Sequence, residues 1–121
     1  MGMADAPPSV LAVTTPGLEG YRIARHLGIV AGETIMGTGF GSDFIAGIKD
    51  LTGSRVGEWE SEIQVARDTA IAEMSAQAQA WGANAVVGVA VDCEVMGAQG
   101  SIILVTATGT AVIVEPAGAR Q

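Results

Sequence analysis

A chain of 121 residues in which Asp and Glu outnumber Lys and Arg by 13 to 6 carries a formal charge of −7, which excludes the clustered cationic surface that nucleic acid requires. Hydrophobic residues make up 49 % and charged residues only 16 %, with a mean hydropathy of +0.40, so a single domain of this size has more apolar surface than its own core absorbs. The longest apolar run, over about 85–91, falls far short of the roughly 20 residues of a membrane-spanning helix, which makes self-association the better destination for that surface.

Residues 1–12, with Pro7 and Pro8, read as a flexible leader, 13–115 as one domain, and 116–121 as a frayed tail. The single cysteine forms no disulfide within the chain, and the first residues carry neither the basic nor the apolar stretch of a secretion signal. A cytoplasmic location is the expectation that follows.

After a turn at Thr14-Thr15-Pro16-Gly17, the spacing predicts a strand over 21–30 with Ile23 and Ile29 on one face; Gly28 and Gly32 suggest bulges or a close backbone approach. Gly37-Thr38-Gly39-Phe40-Gly41 precedes Ser42, an N-cap for a short helix over 43–51. The glycine-rich turn lacks the Lys-Ser/Thr pair of a phosphate-binding loop, and Asp43 in the first helical turn repels an anion, so a tight turn accounts for it better.

The clearest element is a helix over 58–81. Trp59, Ile63, Ala66, Ala70, Met74, Ala78 and Trp81 recur every three or four residues and form one core-facing stripe, and Gly82 supplies the stop. Its alanines predict a close approach to a sheet. Glu58, Glu60 and Glu62 place negative charge in the first turns, where the helix dipole favours it.

The last third reads as a β-hairpin, with arms over 85–96 and 102–114 and a turn over 97–101. Strict alternation puts Val87, Val89, Val91, Cys93 and Val95 on one face, and Asp92 and Glu94 with Met96 on the other. Asp92-Cys93-Glu94 therefore cannot act as three adjacent ligands. Cys93 is expected to be a small buried residue on the valine face. In the second arm, Thr106, Thr108 and Thr110 share one face and Ala107, Gly109 and Ala111 the other, which lets the long helix pack closely.

The stretches Thr15-Pro16-Gly17-Leu18-Glu19-Gly20, Gly28-Ile29-Val30-Ala31-Gly32-Glu33, Asp43-Phe44-Ile45-Ala46-Gly47-Ile48-Lys49-Asp50, Ala66-Arg67, Gly82-Ala83-Asn84-Ala85-Val86-Val87-Gly88 and Gly109-Thr110-Ala111-Val112, in this order, resemble the YbjQ family, also called UPF0145. The resemblance spans about residues 11–114. It implies an α+β protomer with a dodecin-like β-α-β-β arrangement, one long helix on an antiparallel sheet, and assembly into ring-shaped homo-oligomers, commonly pentamers. It also implies binding of a divalent or heavy metal. Carried over by motif, the acidic positions of interest are Glu33, Asp43, Asp50, Asp92 and Glu94. Cys93 stands where the family usually has Tyr, so the resemblance lends this thiol no support as a ligand.

On ligand chemistry, a closed soft-metal site needs about four thiolate or imidazole donors, and this chain offers Cys93 and His26 alone, in different strands. Asp92 and Glu94 suit a hard cation better, with oligomer symmetry multiplying them. No nucleophile stands at a recognisable spacing from a base, so no catalytic role is expected. Two further readings remain open: an interaction ring without metal, and a binder of a planar, flavin-like molecule stacked on Trp59 or Trp81.

Overall fold

The structure, a computed structural model, describes residues 10–37, 56–98 and 102–119. Four strands, β1 (Leu11–Ala12), β2 (Tyr21–Met36), β3 (Ala85–Met96) and β4 (Ile102–Pro116), form one sheet in the order β1-β3-β4-β2. One helix, α1 (Val56–Ala80), crosses between β2 and β3. The α+β class and the long helix follow the sequence reading. The sheet is mixed rather than antiparallel, because β1 pairs in parallel with β3 through Leu11↔Ala85 and Ala12↔Val86. Leu11 and Ala12, expected in the flexible leader, instead pair along the outer edge of β3 at its start. None of the helices among the described residues is long and apolar enough to cross a membrane.

β2 runs six residues beyond the predicted stretch. Its pairing with β4 continues from Tyr21↔Pro116 to Met36↔Ile103, so partners on β4 hold Ala31, Gly32 and Glu33 extended despite their weak strand propensity. Register shifts at Ala24 and Leu27 flank His26, and Gly28 follows with φ of 137°. The expected short helix over 43–51 lies outside the described residues.

Packing follows the alanine stripe. Ala66, Ala70, Met74 and Ala78 are buried and meet Val30, Ile103, Val105, Ala107 and Ala111 from the sheet. Contact is this close because Gly32 has no side chain: a Cβ there would overlap the carbonyl of Ala70 and sit 2.6 Å from the Met74 nitrogen. Gly109 plays the same part between strands, since its Cβ would stand 2.5 Å from Cγ1 of Val86. The stripe ends before Trp81, which is 46 % exposed; past Ala80 the helix has stopped, and Gly82 with φ of 93° turns the chain away. Trp81 instead lies over Gly28, where a Cβ would come within 3.2 Å of its ring.

Strict alternation in β3 also fails, at one place. The register moves from Val87↔Thr110 to Ala90↔Thr108, an extra residue in β3 at Gly88, which has φ of 64°. Val86 and Val89 therefore both face α1, while Ala85 and Val87 face a second small cluster with Val112. Val87 does not share a face with Val91 and Cys93. The bulge moves everything beyond it by one step, and the segment after β1 closes over it: Gly88 N–H donates to Thr15 O at 2.8 Å and Val89 N–H to Val13 O at 3.0 Å.

Candidate metal site

Directly paired residues in a sheet share a face, and β4 tells the two faces apart. Ile103, Val105, Ala107 and Ala111 are buried under α1, so Leu104, Thr106, Thr108 and Thr110 project from the helix-free face. Asp92 pairs with Thr106 from one side and Glu33 pairs with Thr106 from the other. A single row across three strands thus reads Asp92, Thr106, Glu33, with the outer Cα atoms about 10 Å apart at two strand spacings. In the next row Glu94 pairs with Leu104, which pairs with Ile35. Asp92, Glu94, Leu104 and Thr106 line one shallow depression together with Cys93.

Three of the acidic positions picked from sequence, Glu33, Asp92 and Glu94, thereby meet on one solvent-exposed face. Asp43 and Asp50 lie outside the described residues. Among the described residues, no three His, Cys, Asp or Glu side chains converge on one point. The sole ion pair among them joins Arg22 to Glu115 across β2 and β4, on exposed surface.

Cys93 is exposed rather than buried. It does face the helix side, sharing a row with the buried Val105, but α1 packs on β2 and β4 far more than on β3. The far half of β3 therefore protrudes past the helix. His26, also exposed, pairs with Val112. Val112 and Val105 stand seven positions apart on β4, about 23 Å along the strand, and the side chains of His26 and Cys93 leave opposite faces at opposite edges. Cys93 and His26 of one chain cannot share a metal ion. The donor set of a single chain does not fit a thiolate–imidazole heavy-metal centre.

Sequence reading passed over two features. Asn84 acts as a surrogate strand residue: its Oδ1 accepts from Val114 N–H at 2.8 Å and its Nδ2 donates to Val114 O at 3.0 Å, tying the start of β3 to the end of β4. The helix also closes part of β2's outer edge. Oε1 of Gln77 accepts from Ala31 N–H at 3.0 Å and Oε1 of Glu73 from Glu33 N–H at 2.7 Å. The four-residue spacing of Glu73 and Gln77 on an exposed helical face was the available signal.

A family described as "Putative heavy-metal-binding" matches the chain over residues 10–115. The chain belongs to this family, YbjQ. A crystal structure of a protein of unknown function from Pediococcus pentosaceus ATCC 25745, assigned to the DUF74 family, is similar to it with a TM-score of 0.54 and 14 % identity, covering 88 % of this chain and 98 % of that one. At that identity the likeness speaks to the fold. The YbjQ match covers Glu33, Asp92 and Glu94 as well as Cys93 and His26.

Proposed function

We propose that the chain is a self-associating cation-binding protein, with Asp92 and Glu94 as ligands, Glu33 across Thr106 as a third donor, and the site completed by a further copy. The observation that carries this reading is the row Asp92, Thr106, Glu33 on the face opposite α1, with Asp92 and Glu33 exposed. Carboxylate and hydroxyl oxygens are hard donors, so the reading favours a divalent cation of the calcium or manganese kind over a thiophilic metal. The family description supports metal binding in general. Assembly as a ring-shaped homo-oligomer, the pentamer expected from the family resemblance, is supported by the apolar side chains on the same open face, Ile35 at 55 % exposure among them. A cytoplasmic location and a binding role without catalysis belong to the same reading.

The test is native mass spectrometry on protein purified without added metal, then challenged with Ca, Mn, Zn, Cu and Ni, which reports subunit number and bound mass together. Stoichiometric retention of a hard cation, lost in the Asp92→Asn/Glu94→Gln variant, is the expected result. An oligomer that ignores every metal overturns cation binding. Zinc or copper retention abolished by Cys93→Ser, and untouched by the acidic variant, moves the site to the thiol.

A further inference from the structure

We propose that Glu73 of α1 is a positioning residue of the cation site: its carboxylate holds the main chain of Glu33 at the outer edge of the sheet and so fixes the Glu33 carboxylate in the row with Thr106 and Asp92. The proposal rests on the cation-binding reading above and adds to it a residue from the helix.

Glu33 stands on β2, which has a strand partner, β4, on one side only. Alternate amides of β2 therefore turn away from the sheet, those of Ala31 and Glu33 among them. An edge whose amides are held by nothing opens locally at little cost in free energy. A carboxylate carried on such an edge spreads over many positions, and ordering it on a cation subtracts from affinity.

The helix replaces the missing strand. Amides on one side of a strand repeat every two residues, about 6.8 Å, and side chains four apart on a helix rise about 6 Å, so a helix along the edge serves them in turn. Gln77 takes Ala31 N–H at 3.0 Å and Glu73 takes Glu33 N–H at 2.7 Å. Thr69, the next position in that series, spends its hydroxyl on Val65 O at 2.8 Å instead. Gly32 makes the reach possible. A Cβ there would stand 3.0 Å from Cβ of Glu73 and overlap the Ala70 carbonyl, so its absence seats Glu73 directly over the strand.

The two bonds differ in kind. Gln77 offers a neutral amide oxygen, whereas Glu73 offers a carboxylate, the stronger acceptor, and makes the shorter bond. Both side chains are exposed, so burial does not force either onto its amide. Closing an edge against stray strands needs only an acceptor, as Gln77 shows. The charged acceptor stands at the one of the two amides that belongs to a ligand.

Calcium titration by calorimetry at one chain concentration, with amide hydrogen exchange at Glu33, tests this on the wild type and three variants. Glu73→Ala removes the acceptor, Glu73→Gln keeps it without the charge, and Gln77→Ala removes the matching acceptor one turn along the helix. Loss of a group that orients a metal ligand costs about 10–100-fold in affinity, so Glu73→Ala is expected to weaken calcium binding at least about tenfold and to speed exchange of the Glu33 amide. Glu73→Gln should stay within about threefold of the wild type, because a neutral oxygen still holds the amide. Gln77→Ala should leave the affinity unchanged, although it too loses one edge bond. Equal weakening by Glu73→Ala and Gln77→Ala makes both bonds general edge closure and overturns the positioning role. A Glu73→Gln variant as weak as Glu73→Ala overturns it by assigning the effect to charge, and wild-type affinity in Glu73→Ala overturns it outright. In each of those results the wild type binds calcium and the cation-binding reading stands. A wild type that binds no calcium overturns both.

Discussion

Val105 and Thr106 are neighbours on β4 with similar shapes and opposite surroundings. Val105 is fully buried beneath α1, between Thr34 and Cys93 in its row; Thr106 lies on the helix-free face, between Glu33 and Asp92. The helix side of the sheet is built from small apolar residues brought to backbone contact, with Gly32 and Gly109 at the tightest points. The other side carries threonines, carboxylates and exposed isoleucines on the same strands. The helix-free face is packed only at its 85/112 end, where Val13 and Leu18 cover Ala85, Val87 and Val112, and its other half around Thr106 carries the carboxylates. Substitutions of similar size should therefore have unequal consequences on the two sides.

The largest effect belongs to Met74, the bulkiest fully buried side chain of the described residues. Met74→Ala should cost about 2–5 kcal/mol, because Gly32 already holds helix and strand at contact distance and the cavity cannot close by a further approach. Urea denaturation at one fixed chain concentration measures it, since assembly otherwise adds to the apparent stability. Val105→Thr comes next. It preserves shape but places a hydroxyl beneath α1 among apolar side chains with one polar neighbour, the buried Thr34 hydroxyl, at a cost of about 1–3 kcal/mol unless the two hydroxyls pair. A change below about 0.5 kcal/mol would mean that they pair or that the face under α1 is wet.

The helix-covered face was readable because its determinants are local and periodic. The stripe Ala66, Ala70, Met74, Ala78 repeats at helical spacing, and the alternation of Ala107, Gly109 and Ala111 with threonine marks which side of β4 packs. The arms of the hairpin, 85–96 and 102–114, were readable for the same reason. Failures came where tertiary pairing overrode local pattern. The bulge at Gly88 put Val87 on the opposite face from Val91, and the bonds that fix it, Gly88 N–H to Thr15 O and Val89 N–H to Val13 O, come from the segment after β1, more than 70 residues earlier in the sequence.

Cys93 was misplaced because period-two alternation assigns a face without saying how far the helix reaches across the sheet. Its side of β3 is right; the cover is missing. Trp81 was misplaced because the stripe continues in sequence one step beyond the point where the helix stops. For the site, the shared face of Asp92 and Glu94 followed from alternation, whereas Glu33 joins them only through Thr106, a register that no single segment encodes. The family resemblance supplied the interest in Glu33, and the sheet supplied its neighbours.

The smallest effect is expected at Thr106. Thr106→Val exchanges a hydroxyl for a methyl on a face that α1 does not cover, so stability should move by less than about 0.5 kcal/mol under the same urea conditions. The same substitution removes the one neutral oxygen donor between Asp92 and Glu33. Calcium titration of the variant should therefore show weakened binding with an unchanged unfolding midpoint, the reverse of what Val105→Thr shows one residue earlier. Loss of stability at both positions would mean that the helix-free face is as closely packed as the other. Packing supplied there by another copy is told apart by dilution, because the loss then disappears when the chain is monomeric.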